Sequence, residues 1–97
     1  MIVGTHRLYS STTEALFQQV VEIEEGIVTK NYPFESELHS MVWYDAVILS
    51  HSHFEKCFFS TMEEALAFAA SVSSVTHPCH AYGVTFHEDG CLLEPLY

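Results

Sequence analysis

The stretch Ser11–Gly26, "STTEALFQQVVEIEEG", decides which fold this chain is expected to adopt. At helical period, Leu16, Val20 and Ile23 fall on one face, with Phe17 and Val21 beside them. Ser11, Thr12, Thr13 and Glu14 have capping-box spacing, with Ser11 as N-cap and Glu14 reaching back to it. Gly26 supplies a C-terminal stop, because glycine accepts the left-handed conformation in which helices end. The spacing therefore predicts a first helix over Thr12–Glu25. Such a helix would carry Glu22, Glu24 and Glu25 in its last turn, where the helix dipole disfavours each carboxylate by about 0.3–1 kcal/mol. Glu22 and Glu25 would also be surface neighbours of like charge, at a further cost of ~0.2–0.5 kcal/mol.

Outward from that stretch, "MIVGTHRLYS" is rich in β-branched and aromatic residues and reads as a strand. Residues 27–40 lack a clean period and read as a long loop with room for one short turn or strand. "MVWYDAVIL" (Met41–Leu49) reads as a strand and "FEKCFFS" (Phe54–Ser60) as another, joined as a hairpin through the polar "SHSH". Ser60 or Thr61 caps a second helix, with Glu63 and Glu64 three residues beyond each. Leu66, Ala69 and Val72 form its buried stripe, beside Ala65 and Phe68, and its small residues suit close packing on a sheet. "CHAYGVTFH" reads as a strand and Asp89-Gly90 as a turn. "CLLEPLY" reads as a short edge strand, since Pro95 has no amide to donate at a sheet centre. The order β-α-β-β-α-β predicts a ferredoxin-like α+β fold, an antiparallel sheet with two helices on one face.

Ninety-seven residues suffice for a single domain over 1–97. Thirteen Asp and Glu face three basic residues, Arg7, Lys30 and Lys56, for a formal charge of −10. Charged residues total only 16%, so the chain is poor in base rather than rich in acid. That balance repels nucleic acid and anionic membranes and attracts basic surfaces. No apolar run approaches the ~20 residues of a membrane helix. The N-terminus lacks the charged and apolar regions of a signal peptide. Three cysteines, Cys57, Cys79 and Cys91, fit reduced thiols in a cytoplasmic protein.

Motifs for chemistry are sparse. His51, His53 and Cys57 form one knot of metal-ligand residue types, and His77, Cys79 and His80 a second. Neither has the paired C-x-x-C or H-E-x-x-H spacing of a zinc site, and hairpin-tip and loop histidines with ordinary buried thiols are the simpler account of both. Cys57, His51 and Asp45 could meet on a neighbouring strand pair, but their spacing does not require it. The four glycines are scattered and make no phosphate loop, so no cofactor is implied. Direct nucleic-acid binding needs lysines and arginines that the chain lacks.

The carboxylates remain. Helix N-termini accommodate Glu14, Glu63 and Glu64, whereas no helix rule accommodates Glu22, Glu24 and Glu25. With Glu35 and Glu37 in the following loop, and Asp45 and Glu55 on the central hairpin, they form the candidate partner-binding set. An acidic surface that serves only solubility is the plain alternative. In size, acidity and lack of catalytic parts, the chain resembles the small nucleic-acid-mimicking inhibitors of phages and mobile elements. These include anti-CRISPR, anti-restriction and DNA-glycosylase-inhibitor proteins. The resemblance implies a non-enzymatic inhibitor that docks on a basic, nucleic-acid-binding protein and competes with DNA or RNA. The alternatives are a homodimerising α+β interaction domain and a small His/Cys metal-binding protein.

Overall fold

A computed structural model describes residues 1–10, 15–35, 41–71 and 78–97. Its elements are β1 (Ile2–Ser10), β2 (Ala15–Glu24), β3 (Ile27–Pro33), β4 (Met41–Ser50), β5 (Cys57–Phe59), α1 (Met62–Ser71), β6 (His80–His87) and β7 (Gly90–Pro95). They form one mixed sheet in the order β3-β2-β1-β4-β6-β7-β5. β1 and β4 run parallel, and every other neighbouring pair is antiparallel. The fold is therefore mostly strand with one short helix, and the ferredoxin-like expectation of two helices is overturned.

The error lies in the first helix. Ala15–Glu24 is a strand bonded on both sides, to β1 and to β3. Val20, Val21 and Ile23 are buried there, while Leu16 and Phe17, assigned to the inner face of a helix, are 54% and 68% exposed. β-branched residues favour the pleated conformation, and two flanking strands supply hydrogen bonds that a lone helix would have to make internally. The capping box at Ser11–Glu14 lies outside the described residues. Gly26 ends no helix; it completes the two-residue turn of the β2–β3 hairpin. The strand β3 occupies the first half of the expected loop.

Two further expectations fail on pairing. β4 and β5 form no hairpin, because β6 and β7 lie between them. β7 is not an edge strand; it is bonded to both β6 and β5, and Pro95 is tolerated because it stands at the strand's last residue. The β6–β7 turn falls on Glu88 and Asp89, one residue earlier than Asp89-Gly90. The helix α1 forms as its sequence indicates, with the Thr61 hydroxyl accepting the Glu64 N–H at 3.2 Å. Val72 lies outside the described residues.

Both faces of the sheet are covered along the second half of β4, which is why Ala46–Leu49 is an unbroken apolar run. Ala46 and Ile48 pack with Tyr82, Val84 and Leu93 under Ala65 and Ala69 of α1. Val47, between them, packs instead with Leu8, Ala81, Leu96 and the hairpin residues Val21 and Ile23. The β2–β3 hairpin reaches this second cluster because the sheet curls on itself. The Val28 N–H donates to the Cys79 carbonyl at 2.8 Å, joining edge strand β3 to the start of β6.

Candidate acidic groove

Curling of the sheet brings the tip of the β2–β3 hairpin beside both ends of the chain. Glu24 pairs with Ile27, leaving Glu25 and Gly26 as a two-residue turn with φ of 51° and 79°. Positive φ at both positions is the type I′ pattern, which suits the right-handed twist of a hairpin. Gly26 adopts it without cost. For a glutamate the left-handed conformation costs roughly 1 kcal/mol, which is why asparagine or glycine is usual there. The turn at Glu88-Asp89 contains no positive φ, so the strained carboxylate is specific to the β2–β3 tip.

Glu24 and Glu25 are exposed and border a groove of about 620 Å³, walled by Met1, Ile23, Ile27, Thr29 and Tyr97. The Met1 ammonium donates to the Ile23 carbonyl at 2.8 Å, which extends the β1–β2 pairing to the first residue. A smaller recess of about 220 Å³ shares Glu25, Ile27 and Tyr97 and ends on His53 and His80. The two imidazoles meet edge-on, with ring centroids 5.1 Å apart. His80 Nδ1 lies 2.8 Å from the Gly26 carbonyl oxygen; since a carbonyl only accepts, Nδ1 carries the hydrogen.

The other described residues of the expected acidic set do not line this groove. Glu22 is half-buried and accepts the Tyr32 hydroxyl at 2.7 Å. That bond is the main reason the Tyr32 pKa is raised, ahead of desolvation and the Glu22 charge. Its carboxylate thus serves its own hairpin. Glu35 is exposed beyond the opposite end of β3, Asp45 is exposed within β4, and Glu55 is exposed before β5. Glu37 lies outside the described residues. Among the described residues of the set, Glu24 and Glu25 alone line the groove.

Three further features emerge from the fold. Tyr97, two-thirds exposed, walls the groove, although its position at the far end of the chain gives no such hint. Glu88 and Asp89 form a second acidic tip; pairing of Phe59 with Cys91 sets it at the same end of the sheet as the start of α1, with Glu63 and Glu64. Phe17 and Phe86, 68% and 42% exposed, flank Arg7, which pairs opposite Phe17 and lies 5.5 Å from the Phe86 ring centre.

Burial raises the pKa of all three thiols; a backbone hydrogen bond at Ser50 partly opposes this for Cys79, and the Cys57 and Glu64 charges add to it for Cys91. Raised thiols are poor nucleophiles and poor metal ligands. Asp45 and Cys57 stand on strands separated by two others, so the Cys57–His51–Asp45 arrangement is not assembled on a neighbouring strand pair. Among the described residues no three His, Cys, Asp or Glu side chains are placed to hold a metal ion; His77 lies outside them. No described helix is long and apolar enough to cross a membrane. No protein-family model, curated protein or solved structure matches the chain.

Proposed function

We propose that this protein is a non-enzymatic inhibitor that docks on a basic, nucleic-acid-binding surface of another protein and competes there with DNA or RNA. The observation that carries the reading is Glu25: a carboxylate held in a left-handed turn position, exposed, beside Glu24 and above a groove. Local strain kept at an exposed position is the pattern expected where the side chain serves a contact. The charge of −10 supplies long-range attraction to a basic partner. Arginine reads carboxylate and phosphate through the same planar fork, so paired glutamates can take the place of backbone phosphates.

The test is affinity capture of nucleic-acid-processing proteins, followed by competition. Binding is expected to weaken as salt rises, to be relieved by excess duplex DNA or RNA, and to be lost in Glu24→Gln/Glu25→Gln. Glu22 is left intact, because its bond to Tyr32 would confound the result. Capture that survives both salt and the double substitution removes the reading.

Homodimerisation is the second reading, favoured by the exposed pair Phe17 and Phe86 around Arg7. Sedimentation equilibrium of the chain and of Phe17→Ser separates the two: dimerisation predicts a dimer that the substitution dissociates, whereas inhibition requires no self-association.

A further inference from the structure

We propose that the groove between Glu24, Glu25 and Tyr97 seats an arginine side chain from a basic polypeptide segment. This inference rests on the docking reading above and names what enters the site.

Charge, shape and wall chemistry point to that occupant. Glu24 and Glu25 are exposed at the rim, and the one cation on the lining, the Met1 ammonium, is engaged with the Ile23 carbonyl. The exposed apolar surface on the lining includes Ile27 and Tyr97, interleaved with Thr29 and the two glutamates. A long cationic side chain lays its methylene stem on such a wall while its charged head stays in polar surroundings. Tyr97 is 67% exposed and offers its ring to a guanidinium, which stacks on aromatic rings better than an ammonium does. The volume of about 620 Å³ exceeds one side chain and admits flanking backbone. The adjoining recess continues the cleft past Glu25 to His53 and His80. An apolar occupant would bury two unpaired carboxylates, and an anionic one would be repelled.

The experiment titrates the full chain with a hexa-arginine peptide and with a hexa-lysine peptide, following backbone amide shifts by NMR and affinity by calorimetry. Shifts are expected to centre on Gly26, Ile27 and Tyr97, with hexa-arginine the tighter ligand. Glu24→Gln/Glu25→Gln should weaken binding about tenfold, the loss of two charge-assisted contacts. Tyr97→Ala, which leaves the charge unchanged at an exposed position, should weaken it about threefold. Glu88→Gln/Asp89→Asn removes the same charge from the other acidic tip and should change affinity less than about twofold if contact rather than overall field is responsible.

Equal weakening by the two charge-removing pairs, or unchanged binding in Tyr97→Ala, overturns the groove inference. If partner capture is nevertheless lost in Glu24→Gln/Glu25→Gln, the docking reading stands without it. Peptide binding confined to the groove, with no nucleic-acid-binding protein captured at any salt, overturns the docking reading alone.

Discussion

His80 and Gly26 are 54 residues apart in sequence, and a 2.8 Å hydrogen bond from the imidazole Nδ1 to the glycine carbonyl joins them. With the Val28 N–H to Cys79 carbonyl bond, it fastens the β2–β3 hairpin to β6. Gly26 is buried, so removing its donor leaves a carbonyl without that partner. His80→Phe keeps a ring against His53 but cannot donate. It is expected to destabilise the protein by about 1–2 kcal/mol. Hydrogen exchange checks the mechanism: protection of the Val28 amide should fall more than protection of the Val47 amide in the core. Equal loss at both amides would mean that His80 supports the whole fold rather than the hairpin.

Glu25 occupies a turn position better suited to asparagine. Glu25→Asn should stabilise the protein by roughly 0.5–1 kcal/mol, and raise the melting temperature by about 2–8 °C. Glu25→Gln removes the same charge without relieving the backbone, so the difference between the two variants measures the turn alone. If asparagine is no better than glutamine, the left-handed turn carries no cost. Gly26→Ala should act oppositely, losing about 1–2 kcal/mol. An added Cβ would also stand 3.4 Å from the Tyr97 ring.

How far the fold is legible in the sequence depends on which residues are asked. The first strand, Met41–Leu49, the helix after Thr61 and the strand from His80 carry local signals that agree with their environments. In Ala15–Glu24 the signals conflict. Val21 and Ile23 alternate with Glu22 and Glu24 at strand period, and Glu25-Gly26 is a hairpin turn, yet Leu16, Val20 and Ile23 also fit a helical face. Strand pairing on both sides decides the conflict, and that information lies in other parts of the chain. The same holds for β7, whose partner β5 precedes it by more than thirty residues. For the groove, Glu24 and Glu25 stand out in the sequence as unexplained acids, although the helix-dipole argument that singled them out does not apply to a strand and turn. Tyr97 and Met1 join them only through the curl of the sheet, which no local pattern encodes.

The thiols make stability depend on alkaline pH. Cys57, Cys79 and Cys91 ionise near pH 9.0 in an unperturbed setting, and burial raises all three in the folded protein. Folding therefore favours the protonated thiol. This contribution is fully present below pH 9 and is lost as pH rises through the folded values. Urea midpoints under reducing conditions should hold from pH 7 to 8.5 and fall above pH 9. Cys91→Ala, at the most buried of the three, should flatten the decline. A decline of unchanged slope in that variant would assign it to the remaining raised groups, Cys57, Cys79, Tyr44 and Tyr82. Iodoacetamide at pH 7.5 should label the native thiols slowly and the urea-unfolded thiols rapidly.

Tyr82 is the largest fully buried side chain among the described residues, and its hydroxyl organises the connection that follows β4. It donates to the Ser52 carbonyl at 2.7 Å and accepts the Phe54 N–H at 3.1 Å. The ring stacks on Phe54, with centroids 3.9 Å apart and planes 5° from parallel. Tyr82→Phe keeps the stack and removes both hydrogen bonds, leaving an amide and a carbonyl to find other partners in a part-buried site. A loss of about 1–3 kcal/mol is expected. Because Phe54 also packs edge-on against Phe68 of α1, loosening of this connection should reach the helix. Exchange at the Phe54 amide should therefore accelerate most, that at the Ala69 amide less, and that at Val21 in the far hairpin least. If Val21 accelerates as much as Phe54, the hydroxyl is a general requirement of the core rather than a local anchor of the Ser52–Phe54 connection.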